Sequence, residues 1–448
     1  VSEPPGKKSY WLYTGDLYMN SAGRFALLKV LTTRLLPRAA NLVAGLGLAA
    51  LVAGLVQAQE HKEAFRAVTE ENFDSGGAIS RQFHLHPTAY RFHEPIYRSS
   101  KTRALPVALS RELAELPIQY SKGNTSLFNY VRTDPLLDAA IVVHRGEILF
   151  ETYSNMQDWE RHFSWSVSKI FAASVIAALA ERGQLNLATP IDQLVPELKD
   201  SGWAGIPLQN VLDMASGIDC LDSDGYQNQD TCIYQMEESL GITAQTDRDL
   251  SFLPTLQRMQ MHREANRKNE YVSANTNVLM LVAEAVANQP YPELVRGLLW
   301  SKIGAEADAF ITVSPEGYSY ASGGVSLRLR DLARFGQVFA QADDLDVLSS
   351  ATVAAMQTGG LPLDEEDLRW LAEELGEDLP VRAAWQWDQV WVDGAMFKSG
   401  YSGQGLYVDP SRELVIAWFG TGQNFGEESN EMLSVARQIA RAKLMDMK

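Results

Sequence analysis

The residues able to do chemistry are concentrated in "RHFSWSVSKIFAASVIAALAERG", residues 161–183, where Ser164, Ser166 and Ser168 precede Lys169. A serine hydroxyl is a weak nucleophile until a neighbouring base takes its proton. A lysine amine can be that base once burial lowers its pKa. On a helix, only residues three or four apart share a face. Lys169 lies three positions after Ser166, one after Ser168 and five after Ser164, so helical spacing selects Ser166. The run that follows is apolar nearly all round (Ile170, Phe171, Ala172, Ala173, Val175, Ile176), which predicts a buried helix from Ser166 to about Arg182, stopped by Gly183. Such a helix desolvates Lys169, and its N-terminal N–H groups favour a developing oxyanion at Ser166. The competing reading is a serine that merely caps a helix.

A chain of 448 residues must position this stretch, with room for two domains or for one large domain with an insertion. Hydrophobic residues make up 46% of it and charged residues 21%, enough for a sizeable core in a soluble protein. The net charge of −17 excludes nucleic acid as a partner class, because phosphate recognition rewards basic patches. Neither a phosphate-binding glycine loop nor a zinc motif occurs. His84, His86 and His93 in "FHLHPTAYRFHEP" are unsupported by a second ligand cluster, so no metal or organic cofactor is expected. No charge lies between Arg38 and Glu60, and "LVAGLGLAALVAGLV" (Leu42–Val56) is preceded by basic residues and followed by "VQA". This pattern predicts an export leader over residues 1–58, with a membrane anchor at 42–58 as the alternative. Transient membrane association through the leader is also expected, and the location is periplasmic or extracellular. Export makes the pair Cys220 and Cys232, which closes a short polar loop, a disulfide candidate.

Residues 59–134 read as an extension wrapping a core. "DAAIVVHRGEILFETYS" reads as a hairpin, the region about 184–320 as an all-helical insertion, and "GAMFKSGYSG", "GLYVDP" and "RELVIAWFGT" as antiparallel strands before a terminal helix. The order implies an α/β (α+β) fold with one antiparallel sheet built from both chain ends and flanked by helices. The acidic stretch "LDEEDLRWLAEELGEDLP" reads as a solvated helix face.

At "FSWSVSKIF" the chain resembles serine β-lactamases and penicillin-recognising enzymes, close to the SVSK form of class C. "LAERGQLNLATPIDQLVPEL", "LDMASGID", "SGGVSLRLRDLARFG" and "GYSGQGLYVDPSRELVIAWF" extend the likeness over about residues 135–440, toward esterases and 6-aminohexanoate oligomer hydrolases of the same fold. The resemblance implies a β-lactamase/transpeptidase-like catalytic domain at 135–448. It also implies two further motifs. The first is Tyr271-Val-Ser273, with Ser273 where the family has Asn; its tyrosine, held near two cations, is expected to have a lowered pKa and act as a base. Ser273-Ala-Asn275 is the competing register. The second is Lys398-Ser399-Gly400, whose lysine suits a substrate carboxylate and whose glycine lets substrate approach the strand. By the same resemblance, the N–H groups of Ser166 and Tyr401 form the oxyanion hole.

The expected enzyme is an exported serine hydrolase with an acyl-enzyme on Ser166, acting on small esters or linear amides. A class C-type β-lactamase or D-Ala-D-Ala carboxypeptidase is one alternative. A non-catalytic envelope protein that binds peptidoglycan or penicillin-like ligands is another. The sequence does not specify an oligomeric state.

Overall fold

The structure, a computed structural model, describes residues 62–422 and 430–445. The expected leader lies outside them. Among the described residues no helix is long and apolar enough to cross a membrane.

The segment before residue 135 is more than a wrapping. It carries helix α1 (Gly77–Leu85), strand β1 (His93–Ile96) and a small hairpin of β2 (Pro117–Tyr120) and β3 (Gly123–Ser126). The predicted hairpin follows as β4 (Leu137–His144) and β5 (Glu147–Tyr153), and β6 (His162–Phe163) leads directly into the serine cluster. β4 is apolar without alternation because every one of its positions is buried, so both its faces are covered.

The apolar run after Lys169 forms α2 (Lys169–Glu181), buried continuously from Lys169 to Leu179, and it packs against α3 (Ser273–Ala287). The helical region ends in two short strands, β7 (Ala309–Thr312) and β8 (Val325–Leu327), followed by α4 (Leu329–Ala340). The remaining strands are β9 (Leu361–Pro362), β10 (Arg382–Ala384), β11 (Trp387–Val390), β12 (Met396–Ser399), β13 (Gly405–Asp409) and β14 (Leu414–Gly420). The terminal helix α5 spans Met432–Ala440.

One eight-stranded antiparallel sheet runs β5-β4-β14-β13-β12-β11-β10-β9. The two chain ends meet inside it, with Val142 opposite Ile416 and Ala140 opposite Trp418. α4 lies on the face that carries α2 and α3, so close to the sheet that a β-carbon at Gly336 would sit 2.4 Å from a Val415 methyl. α5 covers the other face, with Met432, Val435, Ala436 and Ile439 packed against Tyr407, Ile416 and Trp418. The acidic stretch forms a helix, Glu365–Leu375, in which only Leu371 is buried.

The fold differs from the one-sheet expectation by the small β2-β3 sheet and by a further sheet whose strand β7 lies inside the region, about 184–320, expected to be all helical. That further sheet, β1-β7-β8-β6, joins the N-terminal segment to the strand that delivers the serines. Its strands are only two to four residues long, too short to leave a pattern in the sequence.

Candidate active site

The serine cluster forms a single 3₁₀ turn, Trp165–Ser168, rather than the first turn of α2. Residues three apart eclipse one another in a 3₁₀ turn. Lys169 Nζ accordingly lies 2.9 Å from Ser166 Oγ, and it donates to the Ser322 carbonyl at 2.8 Å. The other two serines face inward. Ser164 and Ser168 are fully buried, their hydroxyls 3.0 Å apart; Ser164 donates to the Val325 carbonyl at 2.7 Å and Ser168 accepts from the Val325 N–H at 3.0 Å. Of the three hydroxyl-bearing residues, Ser166 alone is partly exposed.

Lys169 is 1% exposed. Burial pulls its amine down to about 7; Lys398 pushes the same way, and Asp222 and Asp388 oppose. Near neutrality a large share of this amine is therefore unprotonated and able to accept the serine proton.

Tyr271, just before α3, joins this pair. Its ring centroid is 5.0 Å from Lys169 Nζ and 4.4 Å from Lys398 Nζ, and its hydroxyl accepts from Lys398 at 2.7 Å and contacts Ser166. The competing Asn275 faces away, its amide 3.4 Å from the Met214 sulfur. The expected lowering of the phenol's pKa is not found. Burial raises it well above its ordinary value, and the carboxylates of Asp388 and Asp222 add to the rise, so two cations do not outweigh desolvation. A phenol so held keeps its proton near neutrality and has one to give.

Three of the expected substrate contacts are committed to protein carboxylates. Lys398, wholly buried, pairs with Asp388. Ser399 gives Asp388 its N–H at 2.9 Å and its hydroxyl at 2.6 Å. Ser273 gives Asp222 its N–H at 2.7 Å and its hydroxyl at 2.5 Å. The expectation that Lys398 holds an open electropositive pocket is thus corrected, because Asp388 already balances its charge. Gly400 has no room for a side chain, since a β-carbon there would lie 2.8 Å from the Ser164 carbonyl. This brings the end of β12 and Tyr401, the residue after Gly400, against the serine turn. Cys220 and Cys232 are joined as a disulfide at the base of the loop holding Asp222 and Tyr226.

Beside Ser166 opens a cavity of about 210 Å³. Glu70, Glu71, Asp74 and Glu237 line it, together with Trp165, Tyr226, Tyr320 and Tyr401, and its wall contains no lysine or arginine. Glu237 is 5% exposed and accepts from the Tyr320 hydroxyl at 2.6 Å; burial raises its carboxyl to about 8. Asp74 takes the Tyr401 hydroxyl at 3.4 Å and is also raised by burial.

Sequence reasoning missed this acidic wall, and it missed His84 too. Trp165 adopts a left-handed backbone, φ 45°, unusual for a bulky residue. Its indole N–H donates to His84 Nε2 of α1 at 2.8 Å. Burial holds the His84 ring well below its ordinary pKa, which keeps that nitrogen free to accept. His93 lies elsewhere, on β1, 3.0 Å from Thr312.

A fold with a sheet from both chain ends, a helical region between them and an SxxK turn at the interface defines a serine hydrolase of the β-lactamase type. The family model described as Beta-lactamase matches residues 135–441, and the chain belongs to that family. A 6-aminohexanoate-dimer hydrolase of Paenarthrobacter ureafaciens is 30% identical over 316 residues, 67% of this chain and 78% of the relative. Among solved structures, a candidate 6-aminohexanoate-dimer hydrolase from Bacillus anthracis superposes with a TM-score of 0.70 at 23% identity, covering 83% of this chain and 95% of that one. A hydrolase with promiscuous acyltransferase activity does so at 0.51 and 14%, over 70% and 95%. The non-catalytic alternative gives way to a hydrolase related to amide- and ester-cleaving enzymes.

Proposed function

We propose that this hydrolase works through an acyl-enzyme on Ser166 and cleaves small linear amides or esters whose acyl part carries an amine. The observation that carries the reading is the 2.9 Å contact between Ser166 Oγ and a lysine amine brought down to about 7. Lys169 takes the serine proton as Oγ bonds to the carbonyl carbon. The N–H groups of Ser166 and Tyr401 receive the oxyanion. Tyr271, as a neutral phenol, passes its proton to the departing amine or alkoxide and is reprotonated through Lys169. Water then attacks the ester, losing its proton by the same route.

The acidic cavity supports the substrate class. A wall with Glu70, Asp74 and a Glu237 carboxyl that ionises at about 8, and with no lysine or arginine among its described residues, suits an ammonium group. The dimer named for the Paenarthrobacter relative bears an ammonium at the far end of its acyl half. Export through residues 1–58 belongs to the same reading. N-terminal sequencing of secreted enzyme would find a start near Gln59, and recovery of full-length chain in the cytoplasm would refute it.

Fluorophosphonate labelling followed by mass spectrometry tests the centre of the proposal. Label is expected on Ser166 and absent from Ser166→Ala. Equal labelling of both proteins overturns the nucleophile, and faster turnover of nitrocefin than of nitrophenyl esters overturns the substrate ranking.

A further inference from the structure

We infer that Asp388 is a positioning and specificity-determining residue: paired with Lys398, it turns that lysine into a donor for the Tyr271 hydroxyl and withdraws it from substrate carboxylates. The inference rests on the reading of Ser166, Lys169 and Tyr271 as catalytic.

The pairing follows from strand register. β11 and β12 are antiparallel, with Val390 opposite Met396 and Gln389 opposite Phe397. One rung further, Asp388 stands opposite Lys398. Directly opposed residues project on the same face, close enough to pair. The carboxylate is fully used. One oxygen takes the Lys398 ammonium, and the other takes the Ser399 N–H and hydroxyl at 2.9 and 2.6 Å. Asp388 is thereby clamped to the two residues that open the Lys398-Ser399-Gly400 triplet.

An ammonium with no exposed surface needs a counter-charge, or it sheds its proton. The groups that face Lys398 are Asp388 on β11, Tyr271 before α3, Asp222 on the loop behind α3, and Lys169 on α2. Asp388 is the one carboxylate in contact with it. Burial lowers the Lys398 pKa, and Asp388 is the largest influence opposing that. A charged Lys398, 2.7 Å from the Tyr271 oxygen, stabilises negative charge there while the phenol proton is away on the leaving group. The same pairing spends the attraction that an unpaired lysine would offer a substrate carboxylate. No bond is made or broken by Asp388. It sets the charge and direction of a side chain that acts on Tyr271.

Two variants test the inference, with wild-type labelling of Ser166 as the control that keeps it separate from the nucleophile assignment. Lys398→Gln should lower kcat for a neutral nitrophenyl ester by about a hundredfold with KM little changed. Unchanged kcat on the neutral ester would return Lys398 to the role of a carboxylate receptor and overturn the inference. Asp388→Asn keeps the size and one acceptor but removes the charge. It should move the alkaline limb of the kcat/KM profile to lower pH and narrow the preference for a neutral ester over its carboxylate-bearing analogue by about tenfold. An unmoved alkaline limb with equal losses on both esters would leave Asp388 a purely structural residue. If Asp388→Asn does not fold, the Lys398→Gln result alone decides. If wild type takes no label on Ser166, the proposed function fails and the inference falls with it.

Discussion

On one side of Ser166 stand Lys169, Tyr271 and Lys398, and on the other Glu237, Asp74 and the rim residues Glu70 and Glu71. The first wall comes from the family domain; its Lys398 is paired with Asp388, and its Lys169 is held by hydrogen bonds to Ser166 and the Ser322 carbonyl. The second is drawn partly from the segment preceding that domain; its described lining carries acidic side chains and no lysine or arginine, with Arg91 behind Phe73 within electrostatic reach of Glu70 and Glu237. Balanced charge held in fixed hydrogen bonds suits proton movement, because little reorganisation is needed as protons shift. Acidic groups lining a cavity suit recognition, because a cationic ligand can complete their pairing. The two walls therefore divide the work, one handling the bond to be broken and the other choosing whose bond it is.

If this division holds, mutations on the two walls should fall in different kinetic parameters. The largest effect is expected from Lys169→Met, which removes the base while keeping the volume; kcat/KM should fall by about 10⁴-fold on charged and neutral substrates alike. Tyr271→Phe should follow, with a loss of about 10²–10³-fold concentrated in kcat. Glu237→Gln, assayed above pH 8 where the wild-type carboxylate is charged, should instead raise KM about tenfold for an amine-bearing amide and leave a neutral ester almost unaffected. A comparable loss on both substrates would erase the distinction between the walls.

The pH profiles sharpen the same contrast. Burial lowers the Lys169 pKa from its ordinary value to about 7, so the free amine becomes the majority form as pH rises through 7, and kcat/KM on a neutral ester should climb there. Burial raises Glu237 to about 8, so its carboxylate gains charge on passing that pH, and KM for the amine-bearing substrate should fall at a higher pH than the rise in kcat. Coincident transitions would contradict separate origins. The smallest effect is expected at His84→Leu, which deprives the Trp165 indole of its acceptor; fluorophosphonate labelling of Ser166 should slow about fivefold, consistent with one lost hydrogen bond.

The first wall was largely legible in the sequence. Helical spacing selected Ser166, and resemblance supplied Tyr271 and Lys398, because these side chains sit in short motifs. The hairpin, the strands of the chain end and the terminal helix were legible for a different reason, since each is an apolar run bounded by turn residues or an amphipathic pattern. Asp388, Asp222, Asp74, Glu237 and His84 belong to no motif, and all but Asp388 act across large sequence separations, such as His84 on Trp165. One of them left a usable sign. "WDQVWVDGAMFKS" is a hairpin closed by the three residues Val392-Asp393-Gly394, with Trp391 opposite Ala395, and counting outward from there places Asp388 opposite Lys398. The pKa of Tyr271 was misjudged because a sequence shows which cations are near but not how much water has gone.

The meeting of β4 with β14 inside the large sheet also has a consequence for time. On the ribosome, Ser166 and Lys169 are made long before Tyr271, and Lys398 later still. β4 waits for β14 as its partner until residues 414–420 have emerged. Pairings between such distant parts of a chain form slowly, because the intervening loop must be closed first. The nucleophile and its base are therefore synthesised early and armed late, so a growing or truncated chain carries the reactive pair without the sheet that makes it act.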